Sequence, residues 1–210
     1  MRSIAFCSRK GGSGKTTLAV HMAVAAEASG ERVILIDTDP QASAWAWSQA
    51  RTADTPSVEK ATVSTLARIM DRAEQNHATL AVIDTAPHAA PGVDTIAAVA
   101  DFLLIPCRPS AFDIAAIAAS VQVAKAAETL AAFLLNACPS RAPEIEETRD
   151  VLKTYGFPVA PVGIADRRAF ARAIASGRAV TEFEPHGKAA GEITQLWKWI
   201  RQQIGGTHAR

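Results

Sequence analysis

The segment SRKGGSGKTT, Ser8 to Thr17, has lysines, glycines and hydroxyl side chains at a spacing suited to binding phosphate. Its glycines allow the backbone to curl so that successive N–H groups point at phosphate oxygens. Lys15 would reach the terminal phosphates, and the Thr16 hydroxyl would bind a Mg²⁺ ion. Arg9 occupies the position of the first glycine in the usual pattern G-x-x-x-x-G-K-[ST], and an additional lysine, Lys10, follows it. The predicted phosphate-binding residues are Lys10, Gly11, Gly12, Ser13, Gly14, Lys15, Thr16 and Thr17.

Carboxylate and amide side chains follow three further apolar runs. Asp37 and Asp39 lie in DTDPQ, Asp84 ends LAVID, and Asn136 ends AAFLLN. Asp84 has the position from which the acidic residue of a phosphate-loop site holds Mg²⁺. Asp37 would lie near the same ion and order its loop. Turn or helix-cap roles are the alternatives for Asp37, Asp39 and Asn136, because Asp and Asn favour such positions.

The elements that must position these side chains are short apolar runs alternating with helical patterns. The runs are 3–8, 32–37, 80–84, 102–106 and 131–136, and the helical patterns are 16–29, 42–50, 62–76, 93–100, 112–129 and 143–155. Continuous apolar runs are typical of strands buried on both faces. We expect an α/β fold of the P-loop NTPase class, with a mainly parallel twisted sheet, helices on both faces and a single domain over residues 1–210. Residues 157–164 could add a strand, weakened by prolines, and 51–60 should form a mobile loop.

The composition excludes several classes of protein. Lys and Arg total 22 against 21 Asp and Glu, so the chain is not basic throughout. Cys7, Cys107 and Cys138 lack C-x-x-C spacing, which favours reduced, buried thiols in a cytoplasmic protein over a metal site or disulfides. Arg2 directly precedes the first predicted strand, so no signal peptide is expected. The apolar runs are shorter than the ~20 residues that span a bilayer.

KGGSGKTT together with DTDPQ resembles the deviant Walker A ATPases, the family of ParA and MinD. The resemblance covers most of the chain, through VILIDTDPQAS, VIDTAP, LIPCRPSAFD, FLLN and GKAAGEI. Within the family, the chain is most similar to the small plasmid-type ParA partition ATPases. The resemblance implies Mg²⁺-dependent hydrolysis of ATP to ADP and phosphate, with ATP and Mg²⁺ as cofactors.

The resemblance also implies roles for individual residues. Lys10 matches the signature lysine, which crosses a sandwich dimer to reach the other subunit's nucleotide. Asp39 matches the catalytic aspartate that orients the attacking water, and Asn136 matches the asparagine that reads adenine. The segment PCRPSAFD resembles one at the dimer interface, where Asp113 would cap or pair, although a plain turn is equally consistent with it. The expected catalytic residues are Lys10, Lys15 and Asp39, and the expected metal-binding residues are Thr16, Asp84 and Asp37.

Positive charge is concentrated near the C-terminus. Residues 160–210 contain 8 Lys and Arg against 4 Asp and Glu, whereas residues 1–159 contain 14 against 17. DRRAFARAIASGR, 166–178, is predicted to be a short helix with arginines on one face. A solvated face is the simpler interpretation of charge alone. ParA proteins, however, bind non-specific DNA through C-terminal basic residues as ATP dimers, which here implies Arg167, Arg168, Arg172, Arg178 and Lys188.

The leading functional hypothesis is therefore a cytoplasmic, nucleoid-associated DNA-partitioning ATPase. Its partners would be a second copy of the chain, non-specific DNA and a ParB-like or small centromere-binding protein that stimulates hydrolysis. The alternative is a membrane-cycling ATPase of the MinD type, with GEITQLWKWIRQQIGG, 191–206, as its membrane helix. Membrane attachment is disfavoured because the apolar residues of this segment form a stripe typical of core packing. Iron–sulfur electron transfer and tyrosine kinase activity are disfavoured by the cysteine positions and by Tyr155 being the only tyrosine.

Overall fold

The structure is a computed structural model that describes residues 1–86, 92–140 and 142–205. Its strands are β1 (Arg2–Phe6), β2 (Val33–Asp37), β3 (Ser57–Lys60), β4 (Leu80–Asp84), β5 (Phe102–Cys107) and β6 (Leu130–Leu135). They form one six-stranded sheet in the order β3-β2-β4-β1-β5-β6. Every pairing between neighbouring strands is parallel.

Helices connect the strands and follow the last one. They are α1 (Lys15–Ala28), α2 (Ser43–Gln49), α3 (Val63–Gln75), α4 (Val93–Val99), α5 (Ala111–Ala126), α6 (Glu144–Lys153), α7 (Arg168–Ala175), α8 (Val180–Phe183) and α9 (Lys188–Gly205). A parallel sheet requires such crossover connections, because consecutive parallel strands cannot be joined by a tight hairpin.

The helices cover both faces of the sheet, which explains why the strands are apolar throughout. In β1, Ile4 and Phe6 belong to a core shared with α1, α7, α8 and α9. Ala5 of the same strand belongs to a second core, shared with α3, α4, α5 and α6. Successive side chains of a strand point to opposite faces, so each strand contributes to both cores. The predicted fold class is confirmed.

Two sequence predictions about the sheet are wrong. Residues 51–60 were expected to form a mobile loop, but 57–60 are β3, whose Ser57 pairs with Ile34 of β2. An edge strand has a neighbour on one side only and is partly exposed to solvent, so its sequence can be polar. It then lacks the apolar run by which the central strands were recognised. Residues 157–164 form one isolated bridge, between Val159 and Phe133, in place of a full strand, and a second bridge follows between Ala165 and Cys138. Prolines in this segment lack the N–H donor that a ladder needs.

Helix α9 packs against the body of the protein. Its apolar stripe, Ile193, Leu196, Trp197, Ile200 and Ile204, is buried, as the sequence predicts. The indole N–H of Trp197 donates a hydrogen bond to the Ser29 hydroxyl at 2.6 Å, just beyond the end of α1. Within the described residues, no helix combines the length and the apolarity needed to cross a bilayer.

Candidate functional site

The sheet order brings the predicted site residues to one edge. β2, β4, β1, β5 and β6 are consecutive neighbours, so their carboxyl ends lie side by side. Asp37 is paired in register with Asp84, and Asp84 with Phe6, the last residue of β1, which leads into the phosphate-binding segment. In open parallel sheets, ligands bind beyond the carboxyl ends of the strands. The predicted phosphate, metal and base-binding residues therefore converge on a single region.

The segment between β1 and α1 has the backbone of a phosphate-binding loop. Gly12 and Gly14 have φ of 73° and 94°, the left-handed region that favours glycine. A Cβ at Gly14 would lie 2.3 Å from Asn136 Nδ2, so this glycine is also required by a close approach. No side chain caps the N-terminus of α1. Its first N–H groups and the positive end of its dipole are thus available to an anion.

Asn136 braces this loop from the end of β6. Its Nδ2 donates to the Ser13 carbonyl at 2.7 Å, and its backbone N–H donates to the Cys107 carbonyl at 2.9 Å. The sequence suggested Asn136 only as an adenine-reading or turn residue and gave no sign of this contact. The side-chain oxygen and the second amide hydrogen remain available for hydrogen bonding to a base. The adenine-reading role stays a prediction.

Lys15, the first residue of α1, is 5% exposed and has no ion pair with any described residue. Burial lowers the pKa of its ammonium group, and the nearby Asp84 carboxyl opposes this effect. The side chain lines a cavity of about 360 Å³ together with Gly12, Thr16 and Asp39. A buried ammonium without a close partner is unfavourable, and a bound phosphate would supply the missing negative charge.

Asp84 and Thr16 fit a Mg²⁺ site. Asp84 is fully buried, and neither of its carboxylate oxygens accepts a normal hydrogen bond from the described residues. Burial raises the pKa of this carboxyl to about 7, although the adjacent Thr16 hydroxyl opposes the shift. The described residues contain no cluster of three or more His, Cys, Asp or Glu side chains. Such a sparse set suits Mg²⁺, which keeps several waters and phosphate oxygens among its ligands.

Asp37 and Asp39 occupy different parts of the same loop. Asp37 is buried, and its two oxygens accept the backbone N–H groups of Asp39 at 3.1 Å and Trp45 at 2.9 Å. Burial raises the pKa of Asp37, and these backbone donors oppose that shift. Asp37 therefore orders the loop, as predicted, and its proposed metal contact stays a prediction. Asp39 accepts the Gln41 N–H at 2.9 Å and lines the same cavity as Lys15, and its water-orienting role stays a prediction.

Lys10 is held by its own subunit, away from the phosphate cavity. Its Nζ lies 2.5 Å from Asp113 Oδ2, and Lys10 is absent from the described lining of the cavity around Lys15. Asp113 is itself fixed, because the Ser110 hydroxyl donates to the same oxygen at 2.5 Å while capping α5. Asp113 thus forms an ion pair with Lys10 and also contacts Ser110, the residue that caps α5. Among the described residues, the second lysine of the loop therefore lies outside the cavity that Lys15 lines.

A second cavity of about 510 Å³ adjoins the phosphate cavity. Its wall includes apolar residues such as Ile164 and Phe170 and the polar Asn136 and Asp166. Gly14, Thr17 and Arg108 line both cavities, so the two are continuous. An apolar slot with a few polar groups beside a phosphate site is suited to a nucleobase. Sequence reasoning did not select Arg108 or Asp166 for the nucleotide site, because Arg108 lies in PCRPSAFD, which resembles an interface segment, and Asp166 begins the predicted basic helix 166–178.

The predicted DNA-binding residues lie on the outside of α7 and after it, and several already have partners. Arg167 donates to Glu192 Oε1 at 2.6 and 3.0 Å, which raises the pKa of its guanidinium. Arg172 lies 3.7 Å from Glu184 and over the ring of Phe183. Arg178 donates to the Glu182 carbonyl. Of the five predicted residues, Arg168 and Lys188 are exposed and have neither an ion pair nor a side-chain hydrogen bond among the described residues.

Comparisons with known proteins agree with this geometry. The CobQ/CobB/MinD/ParA nucleotide binding domain, CbiA, matches residues 4–180. Maintenance of carboxysome distribution protein A from Gloeobacter kilaueensis is 29% identical over 206 residues, covering 97% of this chain and 94% of that protein. Chromosome partitioning protein ParA from Caulobacter vibrioides is 54% identical over only 41 residues, 20% of this chain and 15% of that protein.

A solved structure supports the fold independently. The septum site-determining protein MinD from Pyrococcus horikoshii, in complex with Mg-ADP, has a TM-score of 0.79 to this chain at 16% identity. The match covers 100% of this chain and 99% of that one. At this identity the likeness extends to the α/β fold alone.

Proposed function

The chain belongs to the CobQ/CobB/MinD/ParA nucleotide-binding family, and from this membership we propose a function for it. It is an ATPase that closes into a dimer around ATP and uses hydrolysis to position a cargo on DNA. The family membership and the phosphate loop support the ATPase. The dimer, the DNA and the cargo are argued below from the site and from the relatives.

The position of Lys10 carries the proposal. One subunit presents Lys15 to the phosphate cavity, whereas Lys10 is bound to Asp113 outside it. Phosphoryl transfer builds negative charge on the bridging and terminal oxygens, and a second cation there accelerates the reaction. The second ammonium must then come from another subunit. ATP binding and dimerisation are coupled in this way, since each site is completed by Lys10 of the other copy.

The residues of each subunit divide the reaction between them. Backbone N–H groups of the loop and Lys15 bind the phosphates, and the carboxylate of Asp39 holds a water in line with the terminal phosphorus. Thr16 and Asp84 would hold Mg²⁺, which neutralises phosphate charge when bound. Basal hydrolysis should be slow, because Lys10 must first leave Asp113 and cross the interface.

DNA binding is supported by charge and by the relatives. Residues 160–210 carry a net charge of +4, and Arg168 and Lys188 are exposed with no ion pair among the described residues. A dimer would present four such cations in place of two. Because each contact with a DNA phosphate contributes to the free energy of binding, the dimer should bind DNA more tightly than one subunit. One relative is named for chromosome partitioning and another for carboxysome distribution. A protein partner on the cargo, ParB-like or a small adaptor, would then stimulate hydrolysis on the nucleoid.

The membrane-cycling alternative has less support. It requires α9 to lay an apolar face on lipid, but that face is packed into the core against α1 and α8. Releasing it would expose Ile193, Leu196 and Ile200, each worth about 1.5–3 kcal/mol of burial. Anionic vesicles therefore belong in the test as a competing ligand.

The test is binding of a random-sequence DNA duplex in ATP, in ADP and in ATP with Lys10→Ala. We expect binding in ATP only, lost in the variant and weakened by salt because phosphate contacts release counterions. Lys153→Ala is the matched control, since Lys153 also pairs with an aspartate, Asp150 at 2.8 Å, but lies on α6. Binding of vesicles in place of DNA, or no binding in any state, would refute the proposal.

A further inference from the structure

Arg108 is the first residue after β5, and the sheet order decides what surrounds it. β5 lies between β1, which leads into the phosphate loop, and β6, which leads into Asn136. The residue following β5 is consequently placed between the part of the site that binds phosphate and the part suited to a base. The sequence placed Arg108 only within PCRPSAFD, a segment that resembles one at the dimer interface.

The lining of the two cavities also places Arg108 between the phosphate-binding part of the site and the part suited to a base. Arg108 lines the phosphate cavity with Lys15 and Thr16, and it lines the base-sized cavity with Asn136 and Phe170. Gly14 and Thr17 share this double position. In a nucleotide, the α-phosphate and the ribose join the base to the remaining phosphates. A group at the junction of the two cavities is therefore next to those atoms.

The side chain of Arg108 is exposed, and among the described residues its guanidinium has no ion pair or hydrogen bond. Other arginines of the protein are engaged, as Arg51 is by Glu182 at 2.6 Å and Arg149 by the Ala160 carbonyl at 2.8 Å. The backbone of Arg108 is fixed, because its carbonyl accepts the Ser110 N–H at 2.8 Å. An anchored backbone with a free cationic head at the mouth of a site is an arrangement suited to capturing an anion.

We propose that Arg108 binds the nucleotide of its own subunit by donating hydrogen bonds to the α-phosphate. This assignment rests on the proposed function, since it requires a nucleoside phosphate in the site. The planar guanidinium presents paired N–H donors that match phosphate oxygens, a geometry that a lysine ammonium reproduces only in part. Arg108 and Thr17 then hold the α-phosphate from opposite sides, and Lys15 holds the terminal phosphates.

The experiment is calorimetric titration of ADP and of ATP, each with Mg²⁺, into the full chain and its variants. Arg108→Ala should weaken the binding of both nucleotides by the same factor, about 10- to 100-fold, the loss of one charge-assisted contact. Arg108→Lys should recover part of the loss. Arg68→Ala is the matched control, because Arg68 is exposed on α3 and lines neither cavity. Its affinities should equal those of the wild type.

Three results would overturn the assignment. Equal ADP affinity in the wild type and Arg108→Ala would show that the guanidinium does not contact the nucleotide. A penalty confined to ATP would assign Arg108 to the terminal phosphate or to the opposite subunit. If the wild type bound neither nucleotide, the proposed function and this inference would both fail. In the first two results the wild type still binds nucleotide, so only the assignment of Arg108 fails. Thermal melting of each ligand-free variant confirms that the chain is folded.

Discussion

His21 lies on α1, behind the phosphate loop, and is completely buried. Its Nδ1 accepts the Val180 N–H at 3.2 Å, and its ring meets Phe170, which lines the base-sized cavity, at 5.1 Å between centroids. Nε2 has no hydrogen-bonding partner among the described residues. Burial lowers the pKa of His21 to about 3, and the distant Glu182 only partly opposes this shift. The ring is therefore neutral in the folded protein at physiological pH.

This shift predicts a pH-dependent contribution to stability. The folded state stays unprotonated down to about pH 3, whereas the unfolded chain binds a proton below the ordinary pKa of 6.5. The free energy of unfolding contributed by His21 is thus complete above pH 6.5 and falls by about 1.4 kcal/mol per unit below it. Relative to neutral pH, the loss at pH 5 is about 2 kcal/mol.

The assay is urea unfolding of the wild type and His21→Asn at several pH values between about 7.5 and 5. Asparagine keeps an oxygen near the position of Nδ1 for the Val180 N–H but does not titrate. Only the difference between the two proteins isolates His21, because Asp84, whose pKa is raised to about 7, changes stability in the opposite direction over this range. The advantage of the wild type should shrink by about 2 kcal/mol at pH 5.

The control is His77→Asn, since His77 is exposed and has a φ of 65°, which asparagine tolerates. This variant controls for replacing a histidine that lies outside the core. Parallel pH profiles for the wild type and His21→Asn would refute the reasoning, because they would mean that the buried ring does not resist protonation. A steeper decline in the variant than in the wild type would refute it equally.

Three further changes test the site. Asp113→Asn should free Lys10, so that the ATP-dependent dimer forms at lower protein concentration in light scattering; a weaker dimer would contradict this. Asp84→Asn should raise the unfolding free energy of the nucleotide-free protein above pH 7 by about 1–3 kcal/mol, because it removes a buried, unpaired charge, and should abolish stabilisation by Mg-nucleotide in thermal melts. A destabilised variant would argue against an unpaired carboxylate. Gly14→Ala should lose nucleotide binding and at least about 1 kcal/mol of stability, whereas Gly191→Ala, on α9 with open space around it, should lose neither.

The five apolar runs could be identified as strands because each is continuous and lies between helical patterns. β3 could not, since Ser57 and Lys60 are exposed and only Val58 packs against a core. An edge strand pairs on one side, so its sequence does not need to be apolar, and its existence depends on β2 being beside it. The signal that marks central strands is absent from such a segment.

Long-range contacts limited the prediction of the site. Glycine positions and the strand-end carboxylate are local patterns, and they identified Lys15, Thr16 and Asp84. The pairing of Lys10 with Asp113 joins residues 103 positions apart, which only the order of strands brings together. The role proposed for Arg108 depends on β5 lying between β1 and β6. Sequence patterns indicate which side chains can react, but the sheet decides which of them meet.

The ligand-free subunit is held in an incomplete state by its own contacts. Among the described residues, the Asp84 carboxylate is buried with only the adjacent Thr16 hydroxyl to oppose the effect of burial, the buried Lys15 ammonium has no ion pair, and Lys10 is bound to Asp113. Nucleotide and Mg²⁺ would satisfy the first two within one chain, so their binding should stabilise the monomer strongly. Lys10 is different, because in the proposed mechanism its ion pair with Asp113 must break before it can reach the nucleotide of the second subunit. On the proposed function, ADP therefore stabilises the fold without closing the dimer. The equilibrium between monomer and dimer then depends on the terminal phosphate of ATP.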